Sequence, residues 1–239
     1  MKKLFTGLAF MGVLFLNAQE KKQSTSPISY GVKGGFNAST LSRTDMDRYN
    51  YGSQYEEQNN DDRLKPGFHV GVFVNIPVAQ KFSIQPELLF IQLGSKAEER
   101  YRYASGGSIY KRNVDFTTNL NYLTLPIMVQ YNILPQLYVE AGPEFGLLIG
   151  GKLKGDMSVE ERSGSQINTY RDSFSNKLVM DFYNRFNFGL GVGAGYYFTP
   201  KFGVTARFTA GITNVMKNTD SDYKVRNNAL QVGVAYKFK

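Results

Sequence analysis

Eight stretches of the chain alternate large apolar residues with small or polar ones at a period of two, which predicts β-strands with two unlike faces. They run over 29–39, 67–76, 81–93, 120–131, 137–149, 184–198, 201–213 and 229–238. The first sets Tyr30, Val32, Phe36 and Ala38 against Gly31, Lys33, Gly35 and Asn37. In the sixth, Phe186, Phe188, Leu190, Val192, Ala194, Tyr196 and Phe198 alternate with Asn187, Gly189, Gly191, Gly193 and Gly195. The connections alternate in length. Tight turns fall at 77–80, 132–135 and 199–200, whereas 40–66, 94–119, 150–183 and 214–228 are long. Short turns at one end and long loops at the other describe an up-and-down meander with both termini on the short side.

The size of the lumen decides which face is buried. An eight-stranded barrel is just wide enough inside for side chains to fill. Some five large apolar residues on each of eight strands do not fit there, so the glycine-rich face with its few charges must point inward. An apolar exterior of this kind is stable only in lipid, where a sheet must close to leave no edge. The expectation is an all-β protein: an eight-stranded antiparallel up-and-down transmembrane β-barrel with extended extracellular hairpins. One such hairpin is expected from Glu98–Ala104 and Ile109–Phe116 around Ser105–Ser108, and a second from Met157–Glu161 and Ile167–Arg171 around Ser163 and Gly164.

Composition agrees: 18 Phe, 16 Tyr and 24 Gly in 239 residues, with no Cys and no Trp, exclude a disordered, collagen-like or disulfide-built chain. Lys2 and Lys3, an apolar run from Leu4 to Leu16 and the small Ala18 read as a secretory signal peptide over 1–18. Residues 19–28 then form a short periplasmic segment and 29–239 the barrel. No later segment is apolar for long enough to be a transmembrane helix. Removing Lys2 and Lys3 lowers the formal net charge from +8 to +6. The remaining basic residues are interspersed with acids, and export excludes nucleic acid as a partner.

The segments YGVKGGFNAS, FSIQPELLF, NYLTLPIMVQY, YVEAGPEFGLL and GLGVGAGYYF together resemble the small outer-membrane β-barrel proteins of Bacteroidetes known as PorT-like or "porin family" proteins. The resemblance spans the mature chain. It implies an outer-membrane location and, through the family's namesake, a link to type IX secretion, while most members have no assigned activity. Val232, Val234, Tyr236 and Phe238 resemble the terminal-strand signal read by the barrel assembly machinery, although Lys239 follows the last aromatic.

The alternation places Lys33, His69, Glu87, Glu140, Glu144, Arg207 and Lys237 inside the barrel. Buried charges need partners, so a polar network filling the lumen is expected. Glu140 and Glu144 share a face but stand about 13 Å apart along a strand, too far for paired glycosidase carboxylates. His69, the sole histidine, is read as a hydrogen-bonded barrel residue, because no companion nucleophile is marked by a motif. One His and no Cys give no transition-metal set, and no cofactor is expected. The glycines of the sixth strand repeat every second residue, which is not a nucleotide-binding spacing. Tyr49, Tyr51, Tyr55, Tyr101, Tyr103, Tyr110 and Tyr170 stud the long loops and are candidates for recognition.

The function expected is that of a filled, non-enzymatic outer-membrane barrel with a structural or binding role through its extracellular loops. The alternatives are an accessory component of a secretion or other envelope complex, a narrow porin, and a lipid A-modifying enzyme using His69. Outer-membrane lipid and lipopolysaccharide, the barrel assembly machinery and an envelope complex are the partners anticipated.

Overall fold

The computed structural model describes residues 27–43, 56–217 and 224–238, with the backbone alone described over 56–62. The described residues form ten strands: β1 (Ser29–Arg43), β2 (Glu56–Arg63), β3 (Lys65–Pro77), β4 (Phe82–Ser105), β5 (Ser108–Asn132), β6 (Leu137–Ser163), β7 (Gln166–Lys177), β8 (Phe186–Tyr197), β9 (Phe202–Gly211) and β10 (Val225–Lys237). Eight of them close into a ring in the order β1–β3–β4–β5–β6–β8–β9–β10, and β10 returns to pair antiparallel with β1. The signal-peptide segment and Tyr49, Tyr51 and Tyr55 lie outside the described residues.

The eight ring strands present large apolar residues on the outer face. Phe36 is 81% exposed, and Val192, Leu190, Phe186 and Val232 are each more than half exposed. In water such a surface would aggregate. In a bilayer it is the solvent-matched face, and ring closure leaves no ladder edge in hydrocarbon.

The two extra strands lie above the ring. β4, β5 and β6 continue well past the barrel, with β2 added to β4 on one side and β7 to β6 on the other. The β4–β5 hairpin turns on Gly106 and Gly107 at φ 60° and 81°. Positive φ at both central residues is the type I′ geometry that matches strand twist, and glycine adopts it without a steric penalty. Both expected hairpins are present, the second closing at Gly164. β2 was expected as loop.

The short connections carry their own locks. In the β8–β9 turn, the Thr199 hydroxyl accepts from the Phe202 backbone N–H at 2.9 Å. At the same end of the barrel, the Phe238 N–H donates to the Tyr30 carbonyl at 2.9 Å. This is the periplasmic end by the usual arrangement of short turns inside and long loops outside.

Candidate functional site

The lumen is filled in two layers of different chemistry. In the layer nearer the periplasm, Arg207 of β9 reaches across to β4 and β6. Its two terminal nitrogens donate to both oxygens of Glu87 at 2.8 and 2.9 Å, and its Nε donates to Glu140 at 2.7 Å. Lys33 of β1 completes the cluster by donating to Glu87 at 3.1 Å. All four side chains are at most 5% exposed. Two cations thus meet two carboxylates with bidentate geometry, the arrangement in which buried charges best offset their desolvation.

Uncharged side chains complete the cluster. Gln85 donates to Glu87 at 2.8 Å and Gln130 to Glu140 at 3.0 Å. Asn75 donates to the Gln130 and Gln85 side-chain oxygens at 2.8 and 3.1 Å. These amides share the inward alternation but carry no charge to mark them.

Three of the lumen residues named from sequence stand apart from this cluster. Glu144 accepts a long hydrogen bond from Thr209 at 3.4 Å. Lys237 stands with its Nζ 4.0 Å over the Tyr197 ring, a cation–π contact in place of the carboxylate expected. His69 corrects the sequence reading: it is 2% exposed, and neither ring nitrogen has a hydrogen-bond partner. It lies on β3 directly opposite Gly35 and Ile91, where the polar layer meets the apolar one.

The extracellular half of the lumen holds an apolar plug. Leu41, Ile91, Leu93, Leu120, Tyr122, Leu148, Val215, Val225 and Ala229 pack into one buried cluster, and Leu178, Met180, Tyr183 and Met216 close over it. The inside was expected to be glycine-rich and polar throughout; at this height the apolar cluster shares it with buried Asn37, Ser39, Lys65, Ser95 and Asn227. A short helical turn at Met180–Phe182 and a bridge between Tyr183 and Met216 fold the two loops inward.

Above the plug, β2, β4, β5, β6 and β7 form a sheet whose two faces differ. Residues directly opposite in an antiparallel ladder share a face, so the register sorts the side chains. One face carries Tyr101, Tyr103, Tyr110, Val114, Phe116, Met157, Val159, Tyr170 and Phe174. Tyr103 stacks on Tyr110 at 5.0 Å, and Tyr170 is 60% exposed. Tyr110 donates to Glu161 at 2.8 Å, a bond that raises its phenol pKa above the usual value. Tyr101 donates to Glu99 at 3.1 Å.

The opposite face is ionic and continues the outer wall of the barrel. Rising from the rim, its rows are Lys152 and Lys177, then Arg63, Lys96, Thr117 and Lys154, then Glu98, Asp115 and Asp156, then Arg100, Asn113, Ser158 and Arg171. Glu98 pairs with Arg63 at 2.6 Å and with Arg100. A shallow cavity over the second and third rows is lined by Arg63, Lys96, Glu98, Asp115, Lys154 and Asp156. Among the described residues no cluster of three or more His, Cys, Asp or Glu side chains is placed to hold a metal.

A closed antiparallel ring with a lipid-facing apolar wall defines the class as a membrane β-barrel. Residues 17–217 match the family described as outer membrane protein beta-barrel domain, and the chain belongs to that family and to the outer membrane. Among solved structures, it is similar to the attachment invasion locus protein Ail of Yersinia pestis (13% identity, 89% of this chain and 100% of that one, TM-score 0.40). It is likewise similar to Neisserial surface protein A (12%, 89% and 100%, TM-score 0.41) and to OprG of Pseudomonas aeruginosa (11%, 88% and 95%, TM-score 0.35). No curated protein matches the sequence.

Proposed function

We propose that this protein is a sealed outer-membrane barrel that acts as a binding and structural element through its extracellular sheet, without a solute path or enzymatic chemistry. The observation that carries this reading is the doubly filled lumen: the Arg207–Glu87–Glu140 cluster below, and the plug around Leu120, Tyr122 and Val215 above. An open pore needs a continuous water column, and eight filled strands leave none. The purified protein in planar bilayers is expected to give no steady conductance; a reproducible channel in the nanosiemens range overturns the reading in favour of a porin.

The same geometry disfavours lipid A modification. His69 is enclosed in the lumen whereas lipid A lies outside the wall, and neither imidazole nitrogen contacts a side chain it could activate. Cells carrying His69→Ala are expected to show an unchanged lipid A mass spectrum. A lost acyl or headgroup modification would restore the enzyme.

The PorT-like segments support one further reading within the binding role, an accessory subunit of a type IX or other envelope complex. The stacked pair Tyr103 and Tyr110 and the exposed Tyr170 are its candidate contacts. The outward Val232, Val234, Tyr236 and Phe238, each between 42% and 55% exposed at the end of the last strand, suit a signal read during assembly.

A further inference from the structure

The base of the ionic face carries a charge arrangement that no ion pair compensates among the described residues. Lys152 and Lys177 are directly opposed in the β6–β7 ladder, and Lys154 follows on the same face of β6, about 7 Å along the strand. Like charges directly opposite destabilise a strand pair. All three lysines are exposed, and none has an ion pair among the described residues. Lys96, one row further round, directly opposes Arg63, a second like-charge pair, in which Arg63 alone is matched by Glu98.

Position narrows the anion. Lys152 lies three residues above Ile149, which is 55% exposed on the wall; Leu147, at 48%, is paired with Phe186, at 56%. Lys177 is followed by Val179 and Phe182, 58% and 61% exposed at the rim. The lysines therefore stand where the apolar belt ends, and their long stems can lie along it while the ammonium groups reach the headgroup layer.

From these two observations we propose that Lys152, Lys154 and Lys177 form a binding site for the phosphate groups of the glycolipid in the outer leaflet. The inference deepens, and rests on, the reading of the extracellular sheet as a binding surface. Three ammonium groups converging on a phosphorylated sugar remove the repulsion between Lys152 and Lys177 and fix the height and tilt of the sheet over the membrane. A soluble sulfated glycan offers the same chemistry but has no reason to prefer the row at the lipid boundary.

The test is native mass spectrometry of the full-length protein released from detergent after incubation with bisphosphorylated lipid A, dephosphorylated lipid A or heparin. Wild type is expected to retain phosphorylated lipid A at least tenfold better than the dephosphorylated form. The triple variant Lys152→Gln, Lys154→Gln, Lys177→Gln is expected to lose that preference while keeping its heat-modifiable gel migration, since all three positions are exposed. Equal retention of both lipids, or an unaltered preference in the triple variant, overturns the site. Heparin binding that depends on the three lysines without any lipid A preference overturns the membrane source. Bilayer conductance of the same preparation reports separately on the sealed lumen, so the site and the underlying reading fail by different measurements.

Discussion

Arg207→Met is expected to abolish most folding of the barrel. Among the described residues, the side chain it removes is the only one hydrogen-bonded to both Glu87 and Glu140, and after the change Glu140 keeps just the Gln130 amide at 3.0 Å. Removing one partner of a buried ion cluster costs about 3–5 kcal/mol, because the remaining charge stays desolvated. Total stabilities are about 5–15 kcal/mol, so the loss is a large part of the whole. Arg207→Lys keeps the charge but cannot donate in a fork to Glu87 while also reaching Glu140, and is expected to fall between. The double change Arg207→Met with Glu140→Gln should recover part of the loss, since the orphaned carboxylate is then gone while Lys33 still serves Glu87 at 3.1 Å. Urea titration in detergent, followed by the gel shift of unboiled protein, measures all three. A midpoint for Arg207→Met equal to wild type would mean that the lumen hydrates and that the cluster does not seal it.

The strands of the ring were readable because lipid and lumen impose opposite demands on alternate residues, and period two is the trace of that division. The trace fades where both faces are apolar. In β4, Leu88 and Phe90 face lipid while Leu89, Ile91 and Leu93 point inward, the last two into the plug. A run of consecutive apolar residues results, and its inward half cannot be told from its outward half by pattern. β2 was missed for the reverse reason: Glu56–Arg63 reads EEQNNDDR, with no apolar face at all, and is a strand because β4 offers it an edge above the membrane.

Side-chain partners were less legible than faces. Alternation put Glu87 and Arg207 inside, yet their contact spans 120 residues of sequence and depends on the barrel's curvature. It also gave Lys237 and His69 the same inward sense. Height then separated them, one at the periplasmic mouth over Tyr197 and the other at the boundary between layers. The ionic face was hidden by a register shift. The β5–β6 pairing slips by one residue between Asn121 and Tyr122, so the inward parity of β6 changes above Ile149. Lys152 and Lys154 consequently face outward with Lys96, although they share even numbering with the lumenal Glu140 and Glu144.

The second large effect is expected in β8, where substitutions on adjacent residues should have opposite outcomes. Gly195→Leu and Gly193→Leu are expected to block barrel formation, whereas Val192→Phe and Leu190→Phe should fold like wild type. At Gly195 any Cβ would run into the ring of Tyr138, which is itself 3% exposed and has no room to retreat. At Gly193 it would lie 2.6 Å from the Ala206 carbonyl and 3.1 Å from the Glu140 carboxylate that Arg207 holds. Gly191 is less confined, its Cβ meeting Met128 and Arg207 side-chain atoms at 3.4 and 3.5 Å, so Gly191→Leu should be the mildest of the three. Overpacking a filled interior costs about 1–3 kcal/mol, and more where backbone must shift. Val192 and Leu190 are 57% and 51% exposed to lipid, which accommodates an added ring without displacing protein atoms. Folding yield of the five variants in detergent, read from the unboiled gel shift, ranks them. Greater loss for the Phe variants than for the Leu variants would invert the barrel's inside and outside, and with it the polar cluster, the plug and the placement of the lysines at the lipid boundary.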